Sequence, residues 1–567
     1  MAMVRALYAA IANLLLLAGW VLLLPFRAFR REPEAVYVRF RLEGDPPYRK
    51  VRGSSLFQRS EPDSVASLDQ LSEQLDALAA DPRVKGVVFE LQDLAVAPAK
   101  RHSLAALFGR LRRAGKEVVG YAVSAGNAEY ALLCEADRIL MPSAGRLELT
   151  GFAAEATALG EGLRKLGVSA QFVRRGDYKT APELFTHDAV SEIQRRTLET
   201  ILGERHQELV ETISRGRRMP AADAAGRIDR GPYSARRAHA VGLVDAICSE
   251  AELEKALARE GVSPAPKLRS HDEHRSGQRF PSVPWRKWRL PPRLGLIRVR
   301  GAIVHATGAS PLRSIAASGP LTKAIRAAAR DRSCKAVLLY IDSPGGSALA
   351  SELILEELKR LQQKKKVVAY FDRVAASGGY MAALGAHEIW AGPHAIAGSI
   401  GVFAGKFDLS GLLERVGVQR AVLTRGENAG LLSSSRPFTP REREALEADV
   451  EETYQAFLDH VAAARQLPRE TVRERAEGRI YSGQAAQEAR LVDRVGLFED
   501  ACLRALELGG VKAEAFRLHP YAPRSRSFSW LSALRNLGRA QLFTLWFPWV
   551  DVGDRRPWDG LGEGGGP

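Results

Sequence analysis

Residues Val367 to Ala383 read V-V-A-Y-F-D-R-V-A-A-S-G-G-Y-M-A-A. The opening run, Val367 to Phe371, is short and β-branched or aromatic, the mark of a buried strand. Ala375-Ala376-Ser377-Gly378-Gly379 then turns through small residues, and Tyr380 to Ala386 continues as a helix. Ser377 therefore stands where a strand hands over to a helix N-terminus. Backbone N–H groups point outward there, and negative charge is favoured. Two readings apply: a helix-capping serine, or a nucleophile with space beside it for a substrate backbone.

Working outward, the same alternation fills the chain. Ala35 to Leu42 (A-V-Y-V-R-F-R-L) reads as a strand, Ser64 to Ala80 as an amphipathic helix and Val84 to Leu91 as a buried strand. Leu104 to Ala114 is helical and Glu117 to Val123 is again a strand. This rhythm predicts an α/β fold, a parallel sheet with helices on its faces. The rhythm occurs twice. Lys85 to Glu90 matches Lys335 to Tyr340, and Lys116 to Tyr121 matches Lys366 to Phe371, both 250 residues apart. Tyr130 falls on Tyr380. Later the spacing slips to 248: Tyr233-Ser234 on Tyr481-Ser482, and Leu243-Val244-Asp245 on Leu491-Val492-Asp493. The chain is a tandem duplication. The expected organisation is an anchor at 1–31, a first repeat at 32–263, a linker at 264–293, a second repeat at 294–510 and a tail at 511–567. The linker is rich in Pro, Arg and Ser and lacks periodicity.

A duplication lets one half serve as the comparison for the other. Opposite Ser377 stands Asn127; opposite Gly345-Gly346 stand Ala95-Val96. The first half instead carries Lys179, in G-D-Y-K-T-A-P-E, where the second has Ala429. Each half holds a piece that the other lacks, the pattern expected of one active site shared by two degenerate repeats.

Acyl transfer requires a nucleophile, a base and an oxyanion hole. The Gly345-Gly346 turn, with no Cβ in the way, can aim N–H groups inward; Gly378 N–H, next to Ser377, is a natural second donor. For the base, His387 and His394 are the nearest histidines following Ser377. A lysine serves equally if burial brings its pKa down several units from about 10.4. Asp177 and Glu183 flank Lys179 and would oppose that if they faced it. Ser399, in A-G-S-I-G, is the candidate hydroxyl for orienting the amine.

Composition narrows the classes. The 567 residues carry a formal net charge of +16, but the arginines are scattered and no nucleic-acid motif is present, so nucleic acid is not an expected partner. Anionic lipid suits a basic surface better. Four widely spaced cysteines, Cys134, Cys248, Cys334 and Cys502, indicate neither zinc nor disulfides. Residues 6–26 carry no charge and reach about 31 Å as a helix, one hydrocarbon thickness, with no cleavage signal after them. A single N-terminal transmembrane helix is expected. Arg27, Arg30 and Arg31 follow it, which by the positive-inside rule favours a cytoplasmic body. His271-Asp272-Glu273-His274 reads as a solvated charge run in the linker, and no nucleotide loop is found. No metal and no cofactor is expected. Ser525 to Val550 mixes Arg with Trp, Phe and Leu, as a membrane-surface segment or a packing helix would.

The set S-P-G-G-S, A-A-S-G-G-Y and G-S-I-G-V-F, with Y-K-T-A-P-E in the preceding repeat, resembles the signal peptide peptidase A (protease IV) family, in its long duplicated bacterial form. The resemblance spans about residues 1–510. It implies tandem domains like the Clp protease subunit and the crotonases, and a Ser-Lys dyad of Ser377 and Lys179. It implies Ser399 holding the lysine, and an oxyanion hole from Gly346 and Gly378, with Gly345 in the same turn. It further implies a bacterial inner-membrane serine endopeptidase with a periplasmic body, acting on hydrophobic peptides such as cleaved signal peptides, and a homo-oligomer shaped as a tetramer-like ring or bowl. The competing readings are a crotonase-like acyl-CoA enzyme and an inactive membrane scaffold.

Overall fold

The computed structural model describes residues 10–22, 35–49, 67–258, 266–277, 291–306, 315–513 and 515–521. Its contacts divide the chain into two compact units: Met1–Gly151 with His206–Pro292, and Phe152–Arg205 with Arg293–Pro567.

In the first unit six strands lie in the order Lys267–Ser270, Val36–Gly44, Val84–Leu94, Glu117–Ala122, Arg138–Met141, Ala246–Ile247, and all the pairings are parallel. The second unit has the same order: Arg517–Pro520, Arg293–Arg300, Ala336–Ser343, Lys366–Ala376, Glu388–Ala391, Arg494–Val495, again parallel. These strands read as near-continuous apolar runs because helices leave neither face to water; Val337, Leu338, Leu339 and Ile341 are all fully buried. The helix Ser318–Arg330 shows the matching logic, burying Leu321, Ala324, Ile325 and Ala328 on one stripe.

The duplication extends to individual hydrogen bonds. The Tyr130 hydroxyl donates to the Leu243 carbonyl at 2.7 Å, and Tyr380 to Leu491 at 2.8 Å. Asp245 Oδ2 accepts from Ile139 N–H, and Asp493 Oδ2 from Ile389 N–H, each at 2.7 Å. Arg217 pairs with Asp245 as Arg465 pairs with Asp493.

Sequence repeats and compact units divide the chain differently. Phe152–Arg205, first-repeat sequence, packs with the second unit. The strand Ser169–Arg175 pairs antiparallel with Val402–Asp408 along its whole length. Phe172, Phe185, Phe403 and Phe407 close over this pair, mostly edge to face.

Two stretches placed outside the repeats supply strands to the sheets. Lys267–Ser270, placed in the linker, is the edge strand of the first sheet, and His271–Gly277 is a helix that buries His274 with Nε2 3.3 Å from Asp81. Arg517–Pro520, placed in the tail, is the matching edge strand of the second sheet. Four residues are too few to show a period, and the neighbouring strand supplies the partners that make them β. All four cysteines are buried and none is in a disulfide. Residues 10–22 of the expected anchor are helical. Its flanks, 6–9 and 23–26, and the tail segment Ser525–Val550 lie outside the described residues. Among the described residues no helix is long and apolar enough to cross a membrane.

Candidate active site

The strand Lys366–Ala376 ends at Ser377, and the helix Gly378–Ala383 begins one residue later. Ser377 has φ +53° and ψ −120°, a region non-glycine residues rarely occupy, at a cost of order 1–3 kcal/mol. The conformation is held from outside: Ser377 N–H donates to the Gly398 carbonyl at 2.8 Å, and Met381 N–H to the Ser377 carbonyl at 2.9 Å. Of the two sequence readings, the cap fails, because the Ser377 side chain makes no capping hydrogen bond. The residue is half-buried at the corner.

Beside it runs the short parallel strand Ile396–Gly398, with Ala376 opposite Gly398. Ser399 is therefore the next residue along, one strand spacing of about 4.8 Å from the Ser377 position. Ser399 is buried, has φ +52°, and donates its N–H to the Arg479 carbonyl at 2.7 Å.

Lys179 reaches this corner from the segment that packs into the second unit. Its backbone is gripped by 476–479: Tyr178 N–H donates to the Glu477 carbonyl at 2.7 Å. Gly478 (φ +80°) lies so close that a Cβ there would stand 2.3 Å from Lys179 N. The Arg479 guanidinium lies over the Tyr178 ring, 3.8 Å from its centroid. Sequence reasoning missed this grip; its only local sign is Gly478, three residues before the repeated Tyr481-Ser482 pair.

The Lys179 side chain is 3% exposed. Its Nζ donates to the Ser399 carbonyl oxygen and to Ser399 Oγ, both at 2.9 Å. Burial alone pulls its pKa down from 10.5 to about 7. The flanking acids do not oppose this. Glu183 is engaged by Arg174 Nη1 and Ser191 Oγ, each at 2.5 Å, and no carboxylate contributes to the lysine's shift. A neutral amine has two N–H bonds and one lone pair. Ser399 takes up both N–H bonds and leaves the lone pair for a third partner.

The glycine turn lies against the same corner. Gly345 has φ +100° and Gly346 φ +149°. A Cβ on Gly345 would stand 2.7 Å from Ser377 Cβ and 2.9 Å from Gly378 N. The Gly346 nitrogen lies 3.5 Å from where a Gly378 Cβ would be. Ile303 fixes the turn, its N–H donating to Gly345 O at 2.8 Å and its carbonyl accepting from Ser347 N–H at 2.9 Å. The three glycines differ in role. Gly345 N–H donates to Ser343 Oγ at 3.2 Å, so Gly345 makes space and is not a free donor. Gly346 and Gly378 N–H find no protein acceptor among the described residues.

The histidines are elsewhere. His387 Nδ1 accepts from Val367 N–H at 3.2 Å, at the far end of this strand from Ser377. His394 lies in the turn before Ile396, which pairs with Val374, three residues ahead of the serine. In the first unit Asn127 occupies the serine's place, and its side chain is tied to the backbone of Thr150 and Gly151.

A duplicated parallel α/β fold with a serine at a strand-to-helix corner defines a class, the hydrolases that attack through serine. Comparison narrows it. The chain matches the model of Peptidase family S49 over residues 110–262 and 359–512. It is 31% identical over 483 residues to the chloroplastic serine protease SPPA of Arabidopsis thaliana, covering 82% of this chain and 70% of that protein. It is 30% identical to Protease 4 of Haemophilus influenzae, covering 76% and 71%. It is 36% identical over 172 residues to a putative signal peptide peptidase SppA of Enterococcus faecium, covering 30% and 50%. The chain belongs to peptidase family S49 and is a serine-type peptidase.

Proposed function

We propose that the chain cleaves peptide bonds with a Ser377-Lys179 dyad. The observation that carries this is the buried Lys179 amine, held by two oxygens of Ser399, beside the strained Ser377 corner. Neutral Lys179 Nζ takes the proton of Ser377 Oγ as that oxygen attacks the scissile carbonyl carbon. The oxyanion accepts hydrogen bonds from Gly346 and Gly378 N–H. Lys179 then passes the proton to the leaving amine, giving an acyl-enzyme. Water, deprotonated by the same amine, releases the acid and regenerates Ser377. Membership of a peptidase family leaves the acyl-CoA and scaffold readings without support.

A serine-reactive fluorophosphonate tests this directly. Ser377 should be the labelled residue, and its labelling rate should rise with pH through a midpoint near 7. The sign follows from the base: the amine works only when neutral, and burial has lowered its pKa to about 7. A midpoint near 10, or labelling elsewhere, would refute the dyad.

The substrates we propose are hydrophobic peptides such as cleaved signal peptides, supported by the name of the Enterococcus faecium relative. The setting we propose is the bacterial inner membrane, with a single-pass anchor and a periplasmic body; the uncharged stretch 6–26 supports the anchor. Deleting residues 1–31 should release the enzyme from membranes and leave peptidase activity within about twofold. Fractionation of the truncated protein decides it, since retention in the membrane pellet would place the attachment elsewhere. A homo-oligomer, tetramer-like in ring or bowl form, is also proposed. Val416, Val418 and Leu423 are exposed apolar residues that such an assembly would cover.

A further inference from the structure

The strand carrying Ser377 does not run straight into it. Its pairing with Ala336–Ser343 is regular as far as Ile341 opposite Phe371, then resumes at Ser343 opposite Ala375. Asp342 alone thus faces Asp372, Arg373 and Val374. This is a bulge, which bends a strand and re-aims whatever follows it. Two polar contacts span it. Arg373 donates to Asp342 Oδ2 from Nη2 at 2.7 Å and from Nε at 3.2 Å. The Tyr340 hydroxyl donates to Asp372 Oδ2 at 2.6 Å. The Asp342 side chain is only 3% exposed.

The first unit is a built-in control. At the matching positions it has Glu90 for Tyr340, Gln92 for Asp342, Ala122 for Asp372 and Val123 for Arg373. Neither contact can form. Its pairing stays in regular register through Leu91 opposite Ala122 and stops there. Val123 is exposed, and Ser124–Gly126 leaves for a separate three-stranded sheet. The six-strand order nevertheless forms in full. The fold therefore does not require the ion pair, which occurs in the unit that has the serine. Its placement is symmetric: Asp342 stands four residues before Gly346, and Arg373 four before Ser377.

We propose that the Asp342–Arg373 ion pair is a positioning device that pins the bulge and so sets Ser377 against the Gly346 turn. This rests on the reading of Ser377 as nucleophile. Both residues act through the strand ends and not on the substrate.

The test compares Arg373→Met, Arg373→Lys and Asp342→Asn in the full chain, with a peptide substrate and the fluorophosphonate. Misplacing reacting groups by about 1 Å costs about a hundredfold. Arg373→Met and Asp342→Asn should each lose roughly ten- to a hundredfold in kcat, with KM within about threefold and the labelling rate falling in parallel. The pH midpoint should stay near 7, because the Ser399 clamp on Lys179 is untouched. Arg373→Lys, which restores one charged donor, should recover part of the loss. A wild-type kcat in Arg373→Met and Asp342→Asn overturns the proposal, as does a loss matched by a fall in Tm and not rescued by Arg373→Lys. If Arg373→Met does not melt cooperatively, Asp342→Asn, nearly equal in volume, decides alone on kcat at unchanged Tm. Full activity in Ser377→Ala would refute the dyad itself, an outcome distinct from these.

Discussion

Ser377→Ala and Lys179→Ala should each lower kcat by about a thousandfold or more, and the double variant should be little worse than either. Residues that act as one unit are not additive: a nucleophile without its base and a base without its nucleophile are equally idle. Both variants should fold. Alanine at Ser377 removes only an oxygen that makes no capping bond. Alanine at Lys179 removes a buried amine whose charging the surroundings resist, leaving Ser399 Oγ without that donor. Steady-state kinetics with a fluorogenic hydrophobic peptide, alongside thermal melts, checks both halves. His394→Ala is the matched control and should keep activity within about threefold, since the proposed base is Lys179 and His394 lies in the turn ahead of the strand Ile396–Gly398. Multiplicative losses in the double variant, or an inactive His394→Ala enzyme, would break the dyad.

Gly345→Ala should cost about a hundredfold or more in kcat through geometry alone. The residue donates no hydrogen bond to substrate in the proposed mechanism, because its N–H is held by Ser343 Oγ. A methyl group there would stand 2.7 Å from Ser377 Cβ and 2.8 Å from the Ala376 carbonyl oxygen. Neither is the end of a flexible chain, so the nucleophile or the turn must move, and displacement on that scale costs orders of magnitude in rate. The φ of +100° adds backbone strain of order 1–3 kcal/mol. Gly417→Ala separates the two effects. Gly417 has φ +73° with nothing within 4 Å of an added Cβ, so it carries strain without collision. It should lose stability and keep its turnover. Equal kcat values for the two variants would mean that the tight approach of Gly345 to Ser377 does not matter to catalysis.

Much of this was legible in the chain as written. Continuous apolar runs and helical stripes are local properties, so the strands at Val84, Ala336 and Lys366 and the helices between them could be read directly. The 250-residue spacing revealed the repeat, and the repeat exposed the asymmetry of Ser377 against Asn127 and Lys179 against Ala429. Edge strands were not legible. Lys267–Ser270 and Arg517–Pro520 are short and half polar, and only the hydrogen bonds of a neighbouring strand make them β.

The sequence by itself determined the α/β class, the duplication, and which residue types stand at the strand-to-helix corner. Tertiary structure alone decided that Phe152–Arg205 packs with the second unit and so brings Lys179 to Ser399. It alone decided that Gly345 N–H is occupied while Gly346 N–H has no acceptor among the described residues, and that Arg373 meets Asp342. The physical reason is the same in each case. Propensity and periodicity act between residues a few positions apart. The charge state of an amine, the freedom of an N–H and the aim of a serine depend on which distant groups exclude water or supply a partner. Lys179 and Ser399 are 220 residues apart in the chain, and only the packed fold puts 2.9 Å between Nζ and Oγ.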